Sequence, residues 1–415
     1  MIDSAARKRI TKLLEYKGLR RLLGMLNQGG EEARIAGGAV RNALIGESIS
    51  DVDIATTCLP DEVRKRAEVN GFKCVPTGIA HGTVTVVAEG VPYEVTTLRA
   101  DVATDGRRAE VAFGRDWQMD AERRDFTVNG LYADVNGEVT DLVGGIADIK
   151  SRTIRFIGDP EARIQEDHLR ILRFFRFFAW YGSGRPDAEG QKACARLKET
   201  IRQLSAERVW SELKKLLSAP DPSRALLWMR QSGVLSVALP ESEKWGIDAV
   251  HGLVAAEREL GWKADPMLRL MAIVPPRRER CDELAERLKL WKSERTRLEE
   301  WAAAELPKPD LDNRDFARLL YWGDKGGTSD RLRLALAAAR ALAANDDKEM
   351  MKAAGYARLL DFALEWKKPV FPVKGADLLA LGLAAGPEVG ERLKALEEKW
   401  VAGDFALSKA ELLNS

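Results

Sequence analysis

At 415 residues, with 45% hydrophobic and 31% charged positions, the chain is too long for one ordinary core and suggests roughly two to four globular domains. Its 65 Lys and Arg nearly cancel 64 Asp and Glu, so no overall field advertises a nucleic-acid partner; an RNA ligand would need basic residues gathered into a groove. No apolar run approaches the roughly 20 residues of a membrane span, and four cysteines without ligand spacing argue against structural zinc or a disulfide framework and fit a reducing cytoplasm.

The first 30 residues carry seven Lys or Arg against two acids, in a helix-like pattern broken by charge rather than a secretory signal. Short β-type runs follow: "ARIAGG", "DVDIATT", "FKCVPTG", "GTVTVVAEGVPYEVTTL" and "FTVNGLYADVNGEVTDL". The last two contain turn signals, "AEGVP" and "VNGE", between alternating halves and are predicted hairpins, while "AVRNALIG" has helical spacing. Residues 1–150 therefore read as a mixed α/β domain with a largely hairpin-linked sheet. From about 151 the β signal fades, and "EARIQEDHLRILRFFRFFAWYG", "AERVWSELKKLLS" and most of the remainder follow the helical period. The class is α+β, a small sheet domain followed by a long all-helical portion whose tryptophans read as core.

Four stretches carry chemistry. In "IAGGAVRNALIG", Gly37 and Gly38 end a strand and open a helix, so backbone N–H groups can approach a phosphate, and Arg41 one turn later can add a charged contact. An ordinary turn before a helix is the plain alternative. In "GESISDVDIATT", Asp51 and Asp53 share one strand face by alternation, where like charges repel unless a cation lies between them. A solvated face would explain the pair alone; beside a phosphate-type turn, two carboxylates suit Mg²⁺ completed by substrate phosphates. "DVDIAT" also fits the DxDxT of a phosphatase nucleophile, but "GESIS" is no buried apolar strand.

In "AERRDFTVNGLYAD", Arg123 and Arg124 precede Asp125 and Asn129, a set able to hold triphosphate oxygens or simply to form salt bridges. "DLVGGIADIK" adds Asp141 and a second glycine pair, read as a turn. In "EDHLRILRFFR", Asp167, Arg170, Arg173 and Arg176 recur every third residue of a predicted helix, with Leu169, Ile171, Leu172, Phe174, Phe175, Phe177 and Phe178 around them. So much apolar surface places the arginine row in a cleft, where Asp167 can accept from an exocyclic amine and Arg170 donate to a ring acceptor. His81 sits in a turn near these strands; His168 and His251 read as ordinary residues.

In order, "GGAVR", "DVDIATT", "RRDFTVN" and "EDHLRILRFFR" resemble the class II tRNA nucleotidyltransferase and bacterial poly(A) polymerase family, over about residues 30–220. "ERVWSE", Glu207 to Glu212, is similar to its later glutamate-bearing motif. The resemblance implies a nucleotidyltransferase head (1–150), a helical neck (151–220), a body (221–310) and a tail (311–415) that holds tRNA. It implies Asp51 and Asp53 as ligands of Mg²⁺, two ions in all, with Glu94 as an additional carboxylate. Gly37, Gly38, Arg41, Arg124, Asp125 and Asn129 would contact the nucleotide, and Asp167 and Arg170, with Arg173 and Arg176 nearby, would read CTP or ATP. The segment from Arg99 to Arg123 looks like the family's flexible loop, and Asn42 stands where members often carry Asp. The implied activity is CCA addition to tRNA 3′ ends, with poly(A) synthesis or partial CC or A addition on the same scaffold, or a non-catalytic RNA-binding module, as alternatives.

Overall fold

The computed structural model describes residues 2–79, 82–105, 108–242, 247–344 and 346–415, so His81 lies outside the described residues. The chain forms two compact units, one of Met1–Ala219 with Arg224–Ala238, the other of Pro220–Ser223 with Leu239–Ser415.

The first unit opens with helices α1 (Ser4–Leu13) and α2 (Leu19–Leu26), then alternates strand and helix through β1 (Ala33–Ala36), α3 (Gly38–Ile45), β2 (Asp53–Thr56) and α4 (Pro60–Val69). Strands β3 (Lys73–Gly78), β4 (Thr83–Ala88) and β5 (Val91–Thr97) follow. A separate two-stranded ladder, β6 (Arg99–Asp105) with β7 (Arg108–Phe113), leads to α5 (Trp117–Glu122), β8 (Leu131–Ala133), β9 (Val139–Asp141) and α6 (Gly145–Ser151). The main sheet runs β3-β4-β5-β2-β1-β8-β9. Its pairs are antiparallel except β2 with β5, which are parallel with Asp53 opposite Glu94.

Both sequence-predicted hairpins are present. Glu89 and Gly90, with φ of 51° and 82°, make the two-residue turn from β4 to β5, the left-handed pair that matches strand twist. The second hairpin is shorter than its pattern suggests. "FTVN" is a 3-10 turn and β8 begins at Leu131, because Asp125 accepts from the Phe126 N–H and the Asn129 amide while Thr127 donates to Asp148. Those local bonds compete with the ladder. Similarly β2 starts at Asp53, so Asp51 lies just before the strand; buried Val52 between two exposed aspartates keeps the alternation.

Strand alternation gives the sheet two distinct faces. Ile35, Ile54, Val84, Val86 and Val95 pack with Leu19, Leu22, Leu23 and Leu26 of α2, Val40 of α3 and Val63 of α4. The other face is lined by small residues, Ala36 and Ala55, against Leu98, Ala121 and Tyr132. Asp53 shares the face of Ala55, two residues on, and the small side chains leave room above it.

The helical portion of this unit comprises α7 (Pro160–Glu166), α8 (Arg170–Tyr181), α9 (Ala188–Leu197) and α10 (Ala206–Leu217). The single helix expected across "EARIQEDHLRILRFFRFFAWYG" is two, broken where Asp167 adopts an extended backbone, φ −152° and ψ 105°. Phe126 joins them to the sheet through ring contacts with Phe156 and Phe177 at 4.9 and 5.1 Å.

The second unit is helical throughout its described residues. One core gathers Phe316, Leu320, Leu332, Leu336, Leu359 and Leu360; another gathers Tyr321, Val373, Leu396, Trp400 and Leu412. The tryptophans are not all core: Trp400 and Trp301 are buried, whereas Trp291 and Trp322 are exposed. Arg269 is buried against Glu257, its guanidinium 2.6 Å from the carboxylate. Truncating one partner strands a buried charge, so Glu257→Ala is expected to lower unfolding free energy in urea by about 3–5 kcal/mol.

Candidate active site

The turn from β1 into α3 forms the floor of a cleft. Gly37 has φ 62° and ψ −114°, a conformation only glycine adopts easily, and its N–H donates to Leu131 O at 2.8 Å. A Cβ there would stand 3.0 Å from an Arg124 nitrogen. The first N–H groups of α3 have no acceptor within the helix and can bind an anion.

Arg41 lies one turn along α3 and is 6% exposed. Its guanidinium donates to Asn129 Oδ1, to Tyr181 OH at 2.9 Å and to Asn42 Oδ1 at 2.9 and 3.1 Å, and stacks over the Tyr181 and Phe177 rings. All these acceptors are neutral. No carboxylate pairs with Arg41 among the described residues, and burial pulls its pKa down. Asn42 donates its amide N–H to Ser48 O at 2.8 Å, which fixes its carbonyl toward Arg41. The amide thus orients the guanidinium without cancelling its charge.

The neighbouring charges are already paired. Asp120, 1% exposed, accepts from Arg123 at 2.6 Å, Arg124 at 3.0 Å and Tyr132 OH at 2.7 Å. Burial alone would raise its pKa, but the two guanidiniums and the hydroxyl outweigh that and hold it low. Asp125 is likewise held low against its burial by Arg173, Asn129 and the Phe126 N–H.

Asp53 is the opposite case. Although its side chain reaches solvent, displacement of water by the surrounding protein raises its carboxyl pKa, Glu94 across the parallel ladder and Asp51 raise it further, and Arg124 opposes them. Asp53 has no ion pair among the described residues. Asp51 accepts from Ser50 Oγ at 2.9 Å. Mutually repelling carboxylates, with no ion pair to Asp53 among the described residues, fit Mg²⁺, whose remaining ligands come from water and substrate phosphates. No cluster of three or more His, Cys, Asp or Glu able to hold a metal occurs among the described residues.

At the far end of the cleft, Asp167 accepts from the Leu169 N–H at 3.1 Å and from Arg208 of α10 at 2.9 and 3.0 Å. Arg170 donates to Arg163 O at 2.8 Å and pairs with Glu166. One cavity of roughly 510 Å³ is lined by the Gly37–Gly38 turn, Arg41, Asp53, Arg124, Asp125, Asn129, Asp167, Arg170 and Arg173, all read from the sequence. Arg123, Leu169, Phe177 and Arg208 also line it. Of these, Arg208 had no role in the sequence reading: it lies within "ERVWSE", where the glutamates drew attention, and its partner is 41 residues away. Asp51 and Glu94 lie beside this cavity rather than in its lining, and Arg176, ion-paired to Glu212 at 2.7 Å, lines a different one. His168 bonds Ile164 O and His251 is exposed.

Residues 33–155 match the model of the poly A polymerase head domain, and residues 185–245 match a probable RNA and SrmB-binding site of polymerase A. The mitochondrial CCA tRNA nucleotidyltransferase 1 of Mus musculus is 34% identical over 96% of this chain and 89% of its own. The CCA-adding enzyme of Levilactobacillus brevis is 32% identical over 96% and 97%. The chain belongs to the CCA-adding tRNA nucleotidyltransferase family. Among solved structures, the Bacillus stearothermophilus CCA-adding enzyme in complex with CTP is similar with a TM-score of 0.69 at 29% identity, covering 93% of each chain. The Thermotoga maritima CCA-adding enzyme complexed with tRNA shares the fold, with a TM-score of 0.67 at 20% identity over 98% and 97%. Membership of the CCA-adding family and the antiparallel pairing of β2 with β1 leave no place for the phosphatase alternative.

Two stability predictions of opposite sign follow from these carboxylates. Asp120 and Asp125 have folded pKa values below their unfolded ones, so their contribution is complete above the usual carboxylate value of about 4 and is lost as pH falls through the folded value. Asp120→Asn should therefore lower the urea midpoint at pH 7 and flatten its acid dependence. Asp53 has a raised folded pKa, so its ionised form opposes folding. Asp53→Asn should unfold at higher urea than the parent at pH 7, with the difference shrinking as pH falls into the carboxylate range.

Proposed function

We propose that the protein is a CCA-adding enzyme, joining CMP and then AMP from CTP and ATP to the 3′ end of tRNA. The observation that carries this is a single cavity joining a phosphate-type turn, an unneutralised buried guanidinium, a cation-seeking carboxylate and an Asp–Arg pair able to read a base edge.

In this reading the 3′-hydroxyl attacks the α-phosphorus in line and pyrophosphate leaves. The N–H groups opening α3, with Arg41 and Arg124, hold the phosphates, and Asp51 and Asp53 hold Mg²⁺, with Glu94 adjoining. Bound Mg²⁺ would stabilise charge on the attacking and leaving oxygens. Asn129 and Asp125 keep Arg41 and Arg173 in place. Cytosine and adenine both present an amine donor beside a ring acceptor, whereas uracil and guanine present the reverse. Asp167 can only accept and Arg170 can only donate, so this pair accepts the first two bases and rejects the others without any nucleic-acid template. Arg208, which lines the same cavity, holds both oxygens of the Asp167 carboxylate.

The head-domain description favours poly(A) synthesis as the second reading, and partial CC or A addition shares the scaffold. Incubating the protein with tRNA lacking its 3′ end separates these: CMP incorporation followed by one AMP is expected, and failure to incorporate CMP sinks the proposal. Asp53→Ala should abolish incorporation by either route, and retained activity would support a non-catalytic RNA-binding role for the carboxylates. Arg170→Ala is expected to lower discrimination between CTP and UTP by about 10–100-fold, measured as the ratio of kcat/KM values. The free cysteines Cys58, Cys74, Cys194 and Cys281 agree with a reducing compartment, the cytoplasm in this proposal. Among the described residues no helix is long and apolar enough to cross a membrane.

A further inference from the structure

The alanine-rich stretch "LRLALAAARALA" lies in the helix Lys325–Ala343 of the second unit, and nucleotidyl transfer makes no use of it. Two close approaches fix this helix. Near its start, a Cβ on Gly327 would strike the Glu300 carbonyl of the helix Lys292–Ala303. Near its end, a Cβ on Gly252 of the helix Ile247–Glu259 would stand 3.1 Å from the Ala341 Cβ. Between those contacts Arg331, Leu334, Ala335 and Ala338 recur on one face at helical spacing. Both approaches limit how far the helices can close on such short side chains. A hollow of roughly 220 Å³ results, walled also by Leu253, Met271 and Trp301. Exposed Ala249, Leu306 and Ala338 open it to solvent.

Two polar side chains interrupt this apolar lining. Half-buried Arg331 donates through Nε to Trp301 O at 2.9 Å and through Nη2 to Ala302 O at 3.1 Å, and lies 5.0 Å from the Trp301 ring centroid. These contacts orient the guanidinium without neutralising it. Among the described residues its Nη1 has no acceptor and no carboxylate pairs with it. Burial pulls its pKa down, opposed by the Cys281 thiol. Trp301 is 2% exposed, and its indole N–H meets no acceptor. Buried donors are rarely left so. A cation and an unmet donor in one apolar wall suit an acceptor that the chain itself does not supply.

We propose that this hollow binds a small apolar monocarboxylate, its carboxylate paired with Arg331 and its hydrocarbon part among Leu253, Met271 and the alanines. An apolar cavity of about 150 Å³ holds a benzene, so the larger hollow takes a ring or chain of roughly six to eight carbons. The lining disfavours other ligands. A cation finds no acid there, and a nucleotide or inorganic phosphate brings more charge than one guanidinium offsets. The occupant touches four helices, through Leu253, Met271, Trp301 and Arg331, so its binding stabilises the second unit. None of these residues lines the nucleotide cleft, and the assignment stands whichever nucleotides that cleft takes.

The test is titration calorimetry of the full chain with octanoate and with its uncharged analogue octan-1-ol, on parent, Arg331→Met and Ala335→Phe proteins. Octanoate should saturate one site on the parent. Arg331→Met should weaken octanoate about 10–100-fold while leaving octan-1-ol little changed, because one charge-assisted hydrogen-bonded pair is lost. Ala335→Phe, whose ring fills the hollow, should block both. No saturable octanoate binding by about 1 mM, equal weakening of the two ligands in Arg331→Met, or octanoate binding that both variants retain overturns the proposal. Arg331 also holds the end of the helix Lys292–Ala303, so its variant could fail to fold. In that event the Met271 methyl resonance of the parent, assigned with Met271→Leu, decides. A saturable shift with octanoate, tighter than with octan-1-ol, supports the site; an unmoved signal or equal affinities overturns it.

Discussion

A buried guanidinium without an anion is the constraint around which the first unit is arranged. Arg41 could have been neutralised by any of several nearby acids, yet Asp120 is taken by Arg123 and Arg124 and Asp125 by Arg173. What remains for Arg41 is an amide on each side, a phenol and two rings. Neutral acceptors and aromatic faces hold a cation in place while leaving its charge available. Across the cleft Asp53 is the mirror case, an anion crowded by other anions. Both groups make the free protein less stable than it could be, and the proposed magnesium–nucleotide complex would carry the charges that relieve them both.

The same logic explains why a substitution at position 42 is tolerable. An aspartate there, the residue that the family resemblance leads one to expect, could orient Arg41 but would also cancel part of its charge and lose the bond to Ser48. With Asn42, orientation is retained through the carbonyl, and the amide N–H anchors the segment approaching Asp51. The residue therefore links the Arg41 side of the cleft to the segment that carries the carboxylates.

Local chemistry was the legible part of the sequence. The Gly37–Gly38 turn, the Asp51–Asp53 pair, the two hairpin turns and the buried character of α8 all follow from neighbouring residues. What escaped depends on partners distant in the chain or on local bonds that override periodicity. The break at Asp167 interrupts a pattern whose apolar spacing runs on uninterrupted. The Arg208–Asp167 contact spans 41 positions and leaves no periodic trace. The β6–β7 ladder is hard to see in the sequence because its two runs are short and the stretch around them is rich in Gly and Arg. Helix α4 carries clear start signals, Pro60 at its first position with Asp61 and Glu62 behind it, but it is short and lies between strand-like runs that obscure it.

The parallel alignment of β2 with β5 has a consequence for the order in which the chain acquires its properties. Asp53 meets Glu94 only once β3 and β4 have been laid down outside them, Gly37 is tied by Leu131, and Arg41 gains its last acceptor from Tyr181, 140 positions away. Contacts of such separation form late, because loop closure precedes any gain from them. A nascent or partly unfolded chain can therefore build its hairpins and its aliphatic layer but not the cleft. Catalytic competence arrives with complete folding of the first unit, so fragments cut short before α8 are expected to remain inert toward nucleotides.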